Sequence, residues 1–265
     1  MHDGQLITDV DAELAALVAR YKGASGLVIE LLNMIGAQAD GLIDKLPQGA
    51  RDGLEAATEQ ALKQAMRAAD GSRAVVGQQS GWLQTAVATA LGAAGGAGGV
   101  GSALAELPVT TTVLLRAIQD VAEEQGFDPR AENVKFDCIQ VFAAAGPMSE
   151  DDSADLAFLS TRMALSSGGL QKLAAWVAPR LAVVLGQKIA AQAVPVIGAA
   201  TGAATNYAYL NYYREMAHVH FGLRRLAIEG DVPHPDLVAR FREEVSPQIE
   251  NLRQAVMDYL KKADT

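Results

Sequence analysis

The sequence predicts an all-α fold, and three observations lead to this prediction. Strong helix formers dominate the 265-residue chain outside its glycine clusters. No stretch shows the sustained apolar and polar alternation, rich in Val, Ile and Thr, that marks a β-strand. Two long segments, residues 74–105 and 189–213, contain no Asp, Glu, Lys or Arg and consist largely of small residues. We therefore predict a single compact multi-helix bundle in which these Gly/Ala-rich segments form two closely packed central helical hairpins.

The N-terminal part of the chain is predicted to form three helical segments. Apolar residues recur at helical spacing in residues 9–21, and a second apolar run occupies residues 27–35. An amphipathic helix follows at residues 50–69. Gly71 is expected to end it, because glycine readily adopts the left-handed conformation found at helix C-caps. The predicted buried stripe of this helix consists of Leu54, Ala57, Ala61, Leu62 and Ala65.

Proline and glycine residues set the predicted helix boundaries in the middle of the chain. Pro108 suits the first turn of a helix, where its missing N–H costs no hydrogen bond, and Gly126 is expected to close that helix. Asp128 followed by Pro129 is typical of an N-cap and a first helical position. This pair predicts another helix that continues to about Ala145.

The C-terminal part is predicted to continue as helices separated by short breaks. Pro179 is expected to interrupt one of these helices, and Pro247 to split the last one. No long polar linker separates the elements, so we expect one domain over residues 1–265. The predicted helical regions are residues 149–167, 170–193, 206–228 and 236–262.

The charge balance excludes several classes of function. A net charge of −9 argues against a nucleic-acid-binding protein, which needs a basic surface, and against simple electrostatic attachment to an anionic membrane. Arg214, Arg224 and Arg225 lie close together in the sequence and are interpreted as part of a solvated helix face. Cys138 is the only cysteine, and the N-terminus lacks the basic region of a secretory signal. We therefore expect a cytoplasmic protein without an intrachain disulfide.

The composition of the two uncharged segments bears on membrane insertion. A spanning helix needs about 20 predominantly apolar residues, and both segments have this length. However, Gly, Ala, Ser, Thr and Gln occupy many of the positions where a spanning helix has Leu, Ile or Phe. Spacings such as Gly92 to Gly96 let helix backbones approach closely in membranes and in soluble cores alike. We favour buried helices of a soluble core over peripheral hairpins, and both over spanning helices.

Motifs typical of catalysis or cofactor binding have simpler explanations here. Residues 96–101 match G-x-G-x-x-G, but no predicted strand precedes them and no lysine follows. His218 and His220 would point about 200° apart around a helix axis, and His234 lies beyond a proline-rich turn, so we expect no shared metal ion. Cys138 lies on an apolar stripe and is interpreted as a small buried hydrophobe. No catalytic, cofactor-binding or metal-binding residue is predicted.

Polar side chains inside two apolar helices are the more informative feature. Three of them lie within one turn of the first helix, and three have comparable spacing in the second. If these helices are buried, the polar groups must satisfy one another or a ligand. Both an internal polar brace and a ligand site are consistent with the pattern. The six candidate residues are Arg116, Gln119, Asp120, Asn206, Tyr209 and Tyr213.

Several short motifs occur in a distinctive order along the chain. They are Leu107-Pro-Val-Thr-Thr-Thr-Val-Leu-Leu-Arg116, Ile118-Gln-Asp120, Gly126-Phe-Asp-Pro129 and Gln192-Ala-Val-Pro-Val-Ile-Gly-Ala-Ala200, followed by Gly202 and Asn206. In this combination the chain resembles the EcsC family. The resemblance implies a core of about residues 50–226, with peripheral helices in residues 1–49 and 227–265. The family takes its name from a protein encoded beside the subunits of an ABC transporter, which implies a bacterial origin and a link to membrane processes.

The leading hypothesis for function is a non-enzymatic helical protein at the cytoplasmic face of the membrane. It would bind a membrane lipid or a membrane protein, and neither a cofactor nor nucleic acid is expected. One alternative is an enzyme with a buried polar site around Arg116, Asp120 and Asn206. Another alternative is an oligomeric scaffold, since the sequence does not specify the oligomeric state.

Overall fold

Seven α-helices make up most of the chain that the structure describes. In the computed structural model the described residues are 9–35, 48–75, 107–142, 159, 169–192 and 198–246. The helices are α1 (Val10–Ile35), α2 (Gln48–Val75), α3 (107–124), α4 (Glu132–Val141), α5 (Gly169–Gln192), α6 (Gly198–Glu229) and α7 (234–246). No β-strand occurs within these ranges, which confirms the predicted all-α class.

The apolar stripe predicted near the start of the chain faces the protein core. Asp9 is the N-cap of α1, because its carboxylate accepts a hydrogen bond from the Ala12 N–H at 2.9 Å. The positions that follow at helical spacing point inward, as the sequence predicted. The buried residues of α1 are Leu14, Leu17, Val18, Tyr21 and Ala24.

α1 and α6 pack against each other in antiparallel directions. Arg20 on α1 forms a 3.0 Å ion pair with Glu215 on α6. Three residues earlier on α1, Leu17 lies against Gly222, which is further along α6. A Cβ atom at Gly222 would be only 2.5 Å from Leu17 Cδ2, so any larger residue at this position would require the Leu17 side chain to shift.

The remaining contacts join all described helices into one core. α2 packs on α5, while α4 contacts both α5 and α6, and α5 also contacts α6. Buried apolar side chains from all seven helices and Leu159 form one hydrophobic cluster. α1 and α7 contribute to it, although both lie largely in the regions that the sequence assigned to peripheral helices. The organisation of residues 1–265 as a single domain stays a prediction.

Three helices continue through positions where the sequence predicted a break. α1 joins the two N-terminal segments, α2 continues through Gly71 to Val75, and α5 passes through Pro179. A glycine inside a helix costs about 1 kcal/mol, and a proline removes one backbone hydrogen bond. Packing of the neighbouring apolar residues in the core outweighs these local costs. Pro179 lies on the exposed side of α5, where its ring leaves the core undisturbed.

The buried stripe of α2 differs from the prediction at one position. Ala57 is exposed, and Thr58 is buried in its place. Position 58 lies one turn after Leu54, so it shares the inward face of the helix with the other stripe residues. The remaining members, Leu54, Ala61, Leu62 and Ala65, are buried as predicted.

α4 is shorter than the sequence predicted. It begins at Glu132 and ends at Val141, whereas the predicted helix ran from Asp128 to about Ala145. The Asp128 carboxylate accepts a hydrogen bond from the Arg130 N–H at 2.9 Å, which closes a local turn that includes Pro129. Asp128 therefore shapes the connection between α3 and α4 and does not cap α4.

Two helices end in the same left-handed turn. After α3, the Phe127 N–H donates to the Ala122 carbonyl at 2.9 Å, and Gly126 adopts a φ of 85°, which confirms that Gly126 closes this helix. After α6, Asp231 takes the left-handed position with a φ of 50°. Aspartate tolerates this conformation better than most residues with a side chain, and the turn directs the chain into α7.

Part of the predicted organisation lies outside the described residues. This applies to the glycine-rich stretch at 92–102, to the predicted helix at 149–167 apart from Leu159, to residues 193–197 around Pro195 and to everything after residue 246. Residues 198–213 of the second uncharged segment are helical and form the start of α6. Among the described helices, none is long and apolar enough to cross a membrane.

The close contact at Gly222 leads to a stability prediction. We expect Gly222→Leu to lower the free energy of unfolding by about 2 kcal/mol, because the new side chain overlaps Leu17. Combining it with Leu17→Ala should recover part of this loss, as urea denaturation of the single and double variants would show.

Gly23 provides a matched control for this measurement. Nothing lies within 4 Å of a Cβ atom at Gly23, which is also a helical glycine. Gly23→Leu should therefore raise stability by about 0.5–1 kcal/mol through helix propensity alone. Equal effects of leucine at positions 222 and 23 would contradict close packing at Gly222.

Candidate functional site

A cleft of about 670 Å³ lies between α4, α6 and α7. This volume is within the range of about 300–1,000 Å³ that is typical of small-molecule sites. Each helix contributes one face, with residues spaced three or four apart, as helical geometry requires. The lining residues are Asp137 and Gln140 from α4, His220, Arg224, Ala227 and Ile228 from α6, His234, Pro235, Val238, Ala239 and Arg242 from α7, and Leu159.

The cleft has a polar end and a mostly apolar end. The contacts of α1 relate the positions of the two other helices, because Leu17 packs on Gly222 of α6, and Tyr21, one turn further along α1, packs edge-on against Phe241 of α7 at 5.7 Å between ring centroids. His220 and Arg242, which is next to Phe241, therefore both lie away from the turn that joins α6 to α7. Nearer this turn the lining consists of His234 and five apolar residues. The five are Ala227, Ile228, Pro235, Val238 and Ala239.

An ion pair between Asp137 and Arg224 forms part of the polar end. The Arg224 guanidinium also lies over the Phe127 ring, with its Cζ 4.8 Å from the ring centroid. Burial lowers the pKa of Arg224 below its usual range. The group stays charged at neutral pH, since a guanidinium loses its proton only at very high pH. Arg224 is therefore held in place by both a carboxylate and an aromatic ring.

His220 lies beside this pair and is almost completely buried. Its Nε2 is 3.6 Å from the Asp137 Oδ1, and its ring packs edge-on against Phe221. Burial lowers the pKa of His220 to about 4, because the charged imidazolium would lose its hydration. His220 is therefore neutral at pH 7 and contributes no charge to the cleft.

His218 faces a different side of α6, as the predicted angle of about 200° requires. Its Nδ1 is 3.4 Å from the Gln125 side-chain amide, and its Nε2 is 3.9 Å from the Glu124 carboxylate. Burial, together with the positive charges of Arg20 and Arg214, lowers the pKa of His218 to about 4. The described residues contain no group of three or more side chains able to hold a metal ion.

The three arginines that the sequence placed on one solvated face lie in separate environments. Arg224 faces the cleft, whereas Arg225 pairs with Glu13 at 3.5 Å and with Glu229 at 3.9 Å. Arg214 is partly buried. The close spacing of these residues in the sequence therefore does not produce one basic patch.

All six residues of the predicted polar cluster are buried. Within α3, the Arg116 Nε is 3.3 Å from the Asp120 Oδ1. Within α6, burial raises the pKa of Tyr209, and its electrostatic interaction with Tyr213 raises this pKa further. Each of the six has an interaction partner, and none of them lines the cleft. Their joint role as a brace or as a ligand site stays a prediction.

The cleft was not predicted from the sequence. His220 and His234 were not expected to share a metal ion, Arg224 was interpreted as part of a solvated helix face, and neither Asp137 nor Arg242 was singled out. One signal was available, because Asp137 is an acidic residue directly beside the apolar stripe of α4. The sequence does not show that α4, α6 and α7 meet, so this signal could not be connected to the other residues.

The two buried histidines predict a dependence of stability on pH. Their pKa is about 4 in the folded protein and about 6.5 in the unfolded chain, so the unfolded chain binds more protons between these values. Above about pH 6.5 the two histidines should therefore cause no change of the free energy of unfolding with pH. As the pH falls toward 4, it should decrease by up to about 1.4 kcal/mol per pH unit for each histidine.

Urea denaturation between about pH 7 and pH 5 would measure this dependence. His218→Gln and His220→Gln should each remove the contribution of one histidine to the slope of the unfolding free energy against pH. A slope that both variants leave unchanged would show that other groups cause the pH dependence.

Comparison with known proteins places the chain in a family. A sequence model of the EcsC protein family matches residues 30–226. The match begins earlier than the position near residue 50 that the motifs implied, and it includes α2 to α5 and most of α6. No curated protein and no solved structure shows a significant match. Because the matched segment covers most of the 265 residues, the chain belongs to the EcsC protein family.

Proposed function

We propose that this protein is a non-enzymatic helical binding protein that acts at the cytoplasmic face of the membrane. In this proposal the cleft between α4, α6 and α7 holds part of a lipid or of a membrane protein. The cleft is the observation that carries the proposal, because it combines an apolar end with a polar end inside one concave surface.

The state of the polar groups favours binding over catalysis. Asp137 is engaged by Arg224, and His220 is buried in its neutral form. A general acid or base works best when its pKa is near the operating pH, and the pKa of His220 is far below neutrality. Groups fixed in this way are suited to recognise a polar feature of a partner and orient it.

An exposed apolar side chain at the cleft supports contact with an apolar partner. Ile228 lines the cleft and is 67% exposed, whereas Leu226, two residues earlier on the same helix, is buried. Burying such a side chain against a partner would contribute about 1.5–3 kcal/mol. The two uncharged segments and the link of the resemblance to membrane processes support the membrane face as the place of action.

Flotation with vesicles tests this proposal. We expect the full-length protein to float with vesicles of phosphatidylethanolamine and phosphatidylglycerol, or with the same vesicles carrying bacterial membrane proteins. Ile228→Asp should reduce the floated fraction about tenfold, because it places a charge where an apolar contact is expected.

Ala16→Asp is the matched control, since it adds the same charge to the exposed face of α1, away from the cleft. This variant should float like the unmodified protein. If the protein remains unbound in both preparations, or if both variants behave alike, the proposed role of the cleft at the membrane is wrong.

The buried ion pair of Arg116 and Asp120 favours a second candidate function, an enzyme with a polar site inside the bundle. The same pair is equally expected of a structural brace. Asp120→Asn separates the two, because it leaves the Arg116 charge buried without its carboxylate. We expect it to lower the free energy of unfolding by about 3 kcal/mol and to leave vesicle binding unchanged.

The exposed pair of Glu59 and Lys63 on α2 has the same spacing and serves as the control. Glu59→Gln should cost less than about 1 kcal/mol, since water screens this pair. A stable Asp120→Asn variant that has lost the ability to bind a ligand would favour the enzyme and contradict the brace.

A further inference from the structure

We infer that the partner in the cleft is a positively charged segment of a membrane protein. An apolar side chain of this segment contacts Ile228 at the turn between α6 and α7, and its Lys or Arg side chains lie over the carboxylates around this turn. This inference rests on the proposed binding function and names the partner of the same site.

The end of the molecule at which α6 leads into α7 is strongly acidic. The start of α1 lies beside this turn, because a Cβ atom at Gly230 would be only 2.9 Å from Val10 Cγ2. Residues 9–13 and 225–240 together contain six carboxylates and two guanidinium groups, which leaves an excess of four negative charges. The six acidic residues are Asp9, Asp11, Glu13, Glu229, Asp231 and Asp236.

The two guanidinium groups at this end are shared among these carboxylates. Arg225 lies between two of them, with its Nη2 3.5 Å from the Glu13 Oε2 and its Nε 3.9 Å from the Glu229 Oε2. Arg240 forms an ion pair with Asp11. Both arginines therefore reduce the negative charge of this end, but they do not remove it.

Two of the carboxylates beside the turn have no cationic neighbour. Asp231 and Asp236 are exposed, and neither forms an ion pair within the described part of the chain. No Lys or Arg occurs in residues 226–239, and His234 is the only residue there that could carry a positive charge. One such charge would not reverse the sign, so the turn favours a partner that brings its own cations.

The part of the cleft beside these carboxylates provides an apolar contact. Ile228 is largely exposed at the end of α6, and Pro235 and Ala239 are exposed on the facing part of α7. An apolar side chain of a partner can enter between them and bury this surface. Burial of such an anchor supplies affinity, while the surrounding carboxylates determine which charge the partner carries.

The arginines that line the cleft lie further from the acidic turn or are neutralised. Arg224 is one helical turn before Ile228 and pairs with Asp137. Arg242 is about 12 Å along α7 from His234, at about 1.5 Å per residue, and it has an interaction partner within the protein. A cationic segment can therefore bind at the turn without placing its charges against an isolated guanidinium.

Membrane proteins supply segments of this kind at the cytoplasmic face. Their cytoplasmic loops carry an excess of Lys and Arg close to the ends of the spanning helices. An anionic lipid head group, by contrast, would be repelled by the carboxylates around the turn. Of the two partners that the proposed function allows, the charges at this end favour the protein.

Calorimetric titration of the full-length protein with a synthetic cationic peptide tests the inference. The peptide has about 14 residues, with leucine at every third or fourth position and lysine at the others. It should bind at about 0.15 M salt, where distant exposed charges are largely screened. A peptide with glutamate in place of lysine, and one with serine in place of leucine, should each bind at least about tenfold more weakly.

Two variants locate the contact. Asp231→Asn combined with Asp236→Asn should weaken binding of the cationic peptide about tenfold, since each exposed ion pair contributes about threefold. Asparagine also tolerates the left-handed conformation of residue 231. Ile228→Ser should weaken binding about tenfold as well, because it removes the apolar contact and leaves the charge unchanged.

Matched controls change the same kinds of side chain away from the turn. Glu55→Gln combined with Glu124→Gln removes two exposed carboxylates, and Val109→Ser replaces an apolar side chain that is 48% exposed. None of these positions lines the cleft, so the control variants should bind like the unmodified protein. The inference is overturned if the controls weaken binding as much as the variants at the turn, or if the glutamate peptide binds as tightly as the lysine peptide.

Flotation separates this inference from the proposed function. We expect the protein to float with vesicles that carry bacterial membrane proteins and not with protein-free vesicles of phosphatidylethanolamine and phosphatidylglycerol. Trypsin treatment of the loaded vesicles should abolish flotation, because trypsin cleaves after Lys and Arg. If the protein floats equally with protein-free vesicles and Ile228→Asp still prevents it, the proposed function holds and only the inferred partner is wrong. Absence of flotation with both preparations would overturn both.

Discussion

The close antiparallel contact between α1 and α6 is the constraint on which the rest of the described structure depends. Glycine at position 222 lets the Leu17 side chain of α1 lie directly against the backbone of α6, and the same α6 also contacts α4 and α5. The left-handed turn at Asp231 then leads the chain into α7, whose Phe241 packs against Tyr21 of α1. α1 thereby fixes both α6 and α7, which supply two walls of the cleft. A shift of α1 along α6 would change the distance between the arginines on those walls.

The charged groups of the cleft are in a different environment from most of those elsewhere in the described structure. Most charged side chains of the described residues are exposed, where water screens their charges. Inside the cleft, by contrast, Asp137 pairs with Arg224, and the nearby His220 avoids the cost of burying a charge by losing its proton. The net charge of −9 therefore does not determine what a single partly buried site recognises.

Local periodicity made part of this structure predictable. The all-α class, the inward residues of α1 and the end of α3 at Gly126 all depend on residues a few positions apart, and the structure confirms them. The expected breaks at Gly71 and Pro179 were wrong, because packing against other helices outweighs a local cost of a few kcal/mol. The cleft was not predictable at all. Asp137 and Arg224 are 87 residues apart, and no periodicity within one helix indicates which helices will face each other.

The segment that matches the family includes only part of the cleft. The matched segment, residues 30–226, includes Asp137, His220 and Arg224. Ile228 and all of α7, which carries Val238, Ala239 and Arg242, lie beyond it. The segment shared with the family therefore provides one polar wall with a carboxylate and a guanidinium that neutralise each other. Arg242 and five of the six apolar lining residues lie beyond the matched segment, at the end of α6 and in α7. Binding of a partner in this cleft is accordingly a proposal about this chain, and it extends to another member of the family only where a helix after α6 closes the same cleft with comparable residues.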